Sequence, residues 1–142
     1  CKDNYKTIQM PTLEADDVMG IKSTRDTVII SDDKDMKTIP CRLYRPMSGE
    51  SMIVSEAEAD KNFFTQALTG DATDGYKGLA GVGAKRAEAI LGSRPSWGAV
   101  EAAYIKAGHT KEEALTQARL ARILRASDWD EAKQEVILWT PS

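Results

Sequence analysis

The sequence predicts a mixed α/β chain. Residues 1–54 alternate strands with short helices, and residues 55–142 are mostly helical with one closing strand. Three observations carry this. Thr27-Val28-Ile29-Ile30-Ser31 is an apolar, β-branched run, the pattern of a strand buried on both faces of a parallel sheet. From Ser55 onward apolar residues recur at helical spacing, and Ser55…Glu58 and Thr110…Glu113 are Ser/Thr-x-x-Glu capping boxes. Between the two parts, Thr69 to Lys85 is rich in glycine.

The elements follow in order. Lys6 to Met10 alternates polar and apolar residues and reads as a short strand, closed by Pro11. Thr12 is the expected N-cap of a helix opening at Leu13, with Glu14, Asp16 and Asp17 favoured in its first turn by the helix dipole. The Thr27–Ser31 strand runs directly into Asp32-Asp33-Lys34-Asp35. A further strand is expected over Thr38 to Tyr44, interrupted at Pro40, then a turn at Pro46 to Glu50 and a brief strand at Met52 to Val54. The helix capped by Ser55 is expected to reach about Leu68, pairing Phe63 with Ala67 and Phe64 with Leu68, and to stop at Gly70. A short helix follows Gly83, another covers Trp97 to Ala107, and a third runs from Thr110 to about Ala126. That third helix shows Arg119, Arg122 and Arg125 on one side, a solvated face or a phosphate-facing row. Val136 to Trp139 reads as the closing strand.

At 142 residues, 42% hydrophobic and 29% charged, this is the composition of one globular domain. Apolar runs stay well short of the roughly 18 residues of a membrane span. Cys1, Cys41 and the single His109 lack zinc-site spacing. A reduced, cytoplasmic protein is expected. The net charge of −3 is unevenly spread, because the acids cluster in three places, each at the end of a regular element.

Those clusters are Glu14/Asp16/Asp17, Asp33/Asp35 and Asp71/Asp74. Each has an ordinary reading, as an acidic helix start, a polar turn or a glycine loop. If they converge, they supply the oxygen ligands for two Mg²⁺ or Mn²⁺ ions, which together promote phosphodiester hydrolysis. Unmetallated, such a group would repel itself. The turn Gly78-Leu79-Ala80-Gly81-Val82-Gly83, opening into Ala84, Lys85 and Arg86, reads as a helix–hairpin–helix. Glycines let backbone approach a phosphate and the helix N–H groups face it. The alternative is a plain connection between helices.

Glu14-Ala15-Asp16-Asp17, Asp33-Lys34-Asp35 and Gly70-Asp71-x-x-Asp74, followed by Gly78-x-x-Gly81-x-Gly83-Ala84-Lys85, resemble in order the motifs of the flap endonuclease/5′–3′ exonuclease family. Leu115 to Arg125 and Ile137-Leu138-Trp139 resemble the T7-type phage exonucleases more closely. The resemblance implies a PIN-like nuclease domain, represented in part by residues 1–54, and a helix–three-turn–helix DNA-binding region over 55–142. Glu14, Asp16 and Asp17 are then expected at one metal and Asp33, Asp35, Asp71 and Asp74 at the other, some through water. The hairpin would grip duplex DNA, with a K⁺ ion on its backbone carbonyls. Family members are longer. Their N-terminal part carries further metal-binding aspartates and a basic arch, and this chain opens on Cys1-Lys2-Asp3-Asn4, as expected of a piece of a longer protein. Two functions stand side by side. One is part of a metal-dependent 5′–3′ exonuclease acting on duplex DNA in the cytoplasm of an infected host cell. The other is a duplex-DNA-binding fragment that needs the N-terminal half of the same nuclease for catalysis.

Overall fold

Helix α1, Ala15–Lys22, begins two residues later than expected, after an extended Glu14 that caps nothing with its side chain. Thr12, the expected cap, instead stands at φ 68°. In a computed structural model, which describes residues 8, 10 and 12–141, this is the first regular element. The strand expected at 6–10 lies largely outside the described residues.

β1, Val28–Ile30, runs parallel to β2, Cys41–Arg45, pairing Val28 with Arg42 and Ile30 with Tyr44. β3, Glu50–Val54, returns antiparallel, pairing Cys41 with Val54 and Arg45 with Glu50. The sheet is therefore mixed, in the order β1-β2-β3. The double-sided burial expected of β1 does not occur. Ile29 is buried, but Val28 is 53% and Ile30 65% exposed, and on β3 Ile53 is 73% exposed. These side chains share the face opposite Ile29, and no described element covers it. Apolar alternation was missing from β1 because this second face is apolar too, although bare. Between β1 and β2, residues Lys34–Thr38 form a 3₁₀ turn capped by Asp33, so the strand expected from Thr38 starts only at Cys41.

α2, Glu56–Thr69, starts where Ser55 accepts the Glu58 N–H and ends at Gly70, φ 71°. It serves two cores. Ala59 joins Ile29, Met36, Ile39, Leu43 and Val54 beneath the sheet. Phe63, Phe64, Ala67 and Leu68 join the helical core with Tyr76, Leu91, Val100, Tyr104 and Ala118. That second core packs α2 against α3, Ala84–Leu91, α4, Trp97–Lys106, and α5, Lys111–Ala121. Tyr104 fastens it from within, its hydroxyl donating to the Ala67 carbonyl at 2.6 Å. The Thr110–Glu113 box is complete in both directions.

α5 ends five residues before the expected Ala126. The chain is pulled straight there by distant partners. The Leu124 N–H donates to Asp17 at 3.0 Å, across 107 residues of sequence. Arg122 and the Arg125 N–H both meet Asp128 at 2.9 Å. Neither reading of the arginine row holds for Arg122 and Arg125. Arg122 is buried against Asp128 and Arg125 pairs with Asp60 at 2.8 Å while donating to the Thr38 carbonyl. Gly20 of α1 lies so close to the Leu124 carbonyl that a side chain there would collide. The final hairpin pairs only β4, Trp129–Asp130, with β5, Glu135–Val136. Trp139 leaves it to stack edge-on against Phe63 and Trp97, 5.0 and 5.2 Å between centroids.

Candidate metal centre and glycine hairpin

Asp35 stands in the 3₁₀ turn just beyond β1. Its N–H is taken by Asp33 Oδ1 at 2.9 Å, and its own Oδ1 accepts from Gln66 Nε2 at 2.7 Å. Asp71 and Asp74 belong to the loop after α2. Asp71 and Tyr76 close that loop with a pair of backbone hydrogen bonds, 2.9 and 3.2 Å. Asp71 also accepts the Thr73 N–H at 2.9 Å. One carboxylate oxygen from each of Asp35, Asp71 and Asp74 lies within 4.8 Å of the others. Asp35 is the most enclosed of the three and Asp74 the most exposed.

The helix-start acids face the same place. Glu14, Asp16 and Asp17 line a cavity of about 250 Å³ together with Asp35, Gln66 and Asp74. Asp17 spends one oxygen on the Leu124 N–H, and Asp33, exposed, spends one on its turn. Thus α1, the turn after β1 and the loop after α2 each deliver acids to one cavity, but only five of the seven line it: Asp33 does not, and Asp71 adjoins it through Asp35 and Asp74. Asp32 is not among them, since its carboxylate holds the Met47 N–H at the β2–β3 turn.

The electrostatics agree with the geometry. Burial pushes the Asp16 carboxyl above its ordinary 3.8, and Asp33, Asp17, Glu14 and Asp74 add to the rise. Asp35 is raised by burial, then by Asp33, is held back by the Gln66 hydrogen bond, and is raised again by Asp74 and Asp71. Among the described residues none of the seven acids is in an ion pair. Arg122 is on the cavity wall, but Asp128 occupies it and its guanidinium lies 4.9 Å over the Phe63 ring. Among the described residues, negative charge is gathered here with no cation paired to it, as at a site built for a bound cation.

The hairpin is fixed by a close backbone approach. Gly70 and Gly78 both have positive φ, and a Cβ on either would run into the other's backbone. The Leu79 N–H donates to the Leu68 carbonyl at 2.8 Å. The Gly78 N–H donates to Gln117 of α5 at 2.9 Å, so it is not open to a phosphate. Val82 is buried with Leu79 and presents no side chain outward. The open donors lie further on. Gly83 is extended and gives α3 no side-chain cap, and among the described residues the N–H groups of Ala84, Lys85 and Arg86 meet no acceptor. The Lys85 and Arg86 side chains are exposed beside them.

Gln66, Tyr76 and Gln117 were not singled out from the sequence, and Arg122 was read only as part of the solvated or phosphate-facing row. The only available signal was a polar Gln66 beside the apolar stripe of α2. Its partners are 31 and 10 residues away, at spacings that no local pattern encodes.

No family model matches the chain. It is 31% identical to the exodeoxyribonuclease of Enterobacteria phage T3 over 179 aligned positions, spanning 99% of this chain and 59% of that protein. It is also 31% identical to the exonuclease of Escherichia phage T7 over 180 positions, spanning 99% of this chain and 60% of that protein. The chain spans about three fifths of the length of the curated relatives it matches, in their C-terminal part. An alignment of 179 positions against 142 residues leaves at least 37 (179 less 142) filled by the T3 protein alone.

Proposed function

We propose, from the chain's kinship with the T3- and T7-type phage exonucleases, that it is part of a metal-dependent 5′–3′ exonuclease hydrolysing phosphodiester bonds of duplex DNA. The observation that carries the reading is convergence. Acids from three separate stretches meet at one cavity, and two of them, Asp35 and Asp74, have oxygens within 4.8 Å of each other and of Asp71 beside it. An all-oxygen donor set suits Mg²⁺ or Mn²⁺. The residues fit such ions, because among the described residues no cation pairs with the cluster, and burial, then neighbouring acids, push the Asp16 and Asp35 carboxyls upward.

Asp35, Asp71 and Asp74 would hold one ion, with Asp33 acting through water, and Glu14, Asp16 and Asp17 would hold a second. Two such ions, when bound, activate a water and stabilise the leaving oxygen of a phosphodiester. The protein's own residues supply the rest. Gln66 orients Asp35. The open N–H groups at the start of α3, with Lys85 and Arg86, bind backbone phosphates of the duplex without reading bases. In this reading residues 1–54 are the partial PIN-like domain and 55–142 the helix–hairpin–helix region, working in the cytoplasm of an infected cell.

The bare sheet face supports a partner. Val28, Ile30 and Ile53 are exposed on a surface that solvent alone covers poorly, and among the described residues β1 is an edge strand. The N-terminal part of the nuclease, of the kind the longer relatives carry, would cover this face and complete the metal ligands. The test is Mn²⁺-dependent release of nucleotides from 5′-labelled duplex DNA by this chain fused to the N-terminal part of the T7 exonuclease. Release that depends on Asp35 and Asp71 is the expected result. No release from a folded fusion that binds Mn²⁺ and DNA would overturn the nuclease reading. Release by the 142-residue chain alone would instead overturn the need for a partner.

A further inference from the structure

We infer that Tyr76 and Gln66 form a strap that positions the three clustered carboxylates for a divalent cation, Tyr76 acting on two of the stretches that carry them. This rests on the metal-centre reading above. The strap starts at Tyr76, which is 3% exposed. Its backbone exchanges both hydrogen bonds with Asp71 and so closes the loop that presents Asp71 and Asp74. Its hydroxyl reaches Gln66 Oε1 at 3.4 Å, and Gln66 Nε2 donates to Asp35 Oδ1 at 2.7 Å. Loop, helix α2 and the turn after β1 are thereby joined through two side chains.

The direction of the strap is determined by its ends. Asp35, as a carboxylate, can only accept, so the Gln66 amide must turn its NH₂ toward it. That leaves the Gln66 oxygen facing Tyr76, whose phenol, buried and surrounded by Asp35, Asp71 and Asp74, keeps its proton and donates. Both links are satisfied in only this orientation of the amide. Holding Oδ1 fixes the plane of the Asp35 carboxylate, and with it the direction of the second oxygen. A polar side chain doing this from the cavity wall differs from one that only satisfies itself, because its effect is read in cation affinity. Groups that orient carboxylate ligands carry on the order of tenfold or more of metal affinity.

The experiment titrates the chain, fused as above to the N-terminal part of the T7 exonuclease, with Mn²⁺ and follows the free-ion signal by electron paramagnetic resonance, alongside melting in chelator. Gln66→Leu removes the donor at similar volume, and Tyr76→Phe removes only the hydroxyl. Gln66→Leu is expected to weaken Mn²⁺ binding on the order of tenfold, and Tyr76→Phe by a smaller factor, while both melt like the parent in chelator. Unchanged affinity in Gln66→Leu, with or without a lower melting temperature, overturns the strap. If Gln66→Leu does not fold, Tyr76→Phe decides the matter by the same criterion. A parent chain with no saturable Mn²⁺ site overturns the metal centre itself, and the strap with it, whereas a parent that binds and variants that bind equally overturn the strap alone.

Discussion

Replacing Asp35 by Asn removes one negative charge from the cavity while keeping the oxygen that accepts from Gln66. Two like charges at the 4.8 Å limit of the Asp35, Asp71 and Asp74 oxygens repel by about 0.9 kcal/mol in bulk water and about 3.5 kcal/mol at an effective dielectric near 20. Asp35 is only partly buried and its partner Asp74 is exposed, so screening favours the lower figure. We expect the Asn variant, free of metal, to be more stable by about 1 kcal/mol, or about 3 °C in melting temperature for a chain of this size. Mn²⁺ at a hundred times its dissociation constant would stabilise the parent by about 2.7 kcal/mol and the variant far less, so the order of melting temperatures should invert when metal is added. Acidification supplies a second handle. Asp16 and Asp35 have folded-state values raised above 3.8, so the native state keeps its protons to higher pH than the unfolded chain. Their destabilisation is fully present at neutral pH and is relieved as pH falls through the raised values toward 3.8. The metal-free gap between parent and variant should therefore close in that window, while the Mn²⁺ gain is lost there as protons compete for the ligands. Differential scanning fluorimetry in chelator and in Mn²⁺ across that range measures both effects. An Asn variant less stable than the parent in chelator at neutral pH would refute the reasoning, because it would make Asp35 a structural group.

Gly78→Ala should cost about 2 kcal/mol or more in urea unfolding, since φ 63° disfavours a side chain and a Cβ would meet the Gly70 and Leu68 backbone. Asp128→Ala strands Arg122 in the core and frees the Arg125 N–H, and should cost about 3–5 kcal/mol by the same measurement. Lys85→Ala should leave folding unchanged, weaken duplex binding for any sequence, and lower the salt slope of log K by about 1 in fluorescence anisotropy. A loss confined to one DNA sequence would contradict a backbone-only contact.

The helices were legible because their signals are local. Ser55 and Thr110 cap their own next turn, and Gly70, Gly92 and Gly108 stop a helix through their own positive φ. Errors came where a distant partner decided. The apolar run at β1 does not state whether a layer exists to cover its second face, and here none does among the described residues. The helical pattern after Ala121 continues in sequence, yet Asp17 and Asp128 draw residues 122–125 straight. Arg122 and Arg125 keep the spacing of a solvated face, yet Arg122 sits in a buried ion pair and Arg125 turns inward to a half-exposed Asp60.

The acidic residues of the candidate site were visible in the sequence as three clusters at element ends, because residue type and short spacing are local signals, although each cluster taken singly has an ordinary reading. The glycine hairpin was visible because only glycine accepts the backbone at Gly78 and Gly81. Convergence was decided only in three dimensions, by the packing that brings α1, the turn after β1 and the loop after α2 to one cavity. The same packing assigned the supporting residues. Gln66, Tyr76 and Gln117 act across 31, 10 and 39 residues of chain, and hydrogen bonds of that reach leave no periodicity in a sequence.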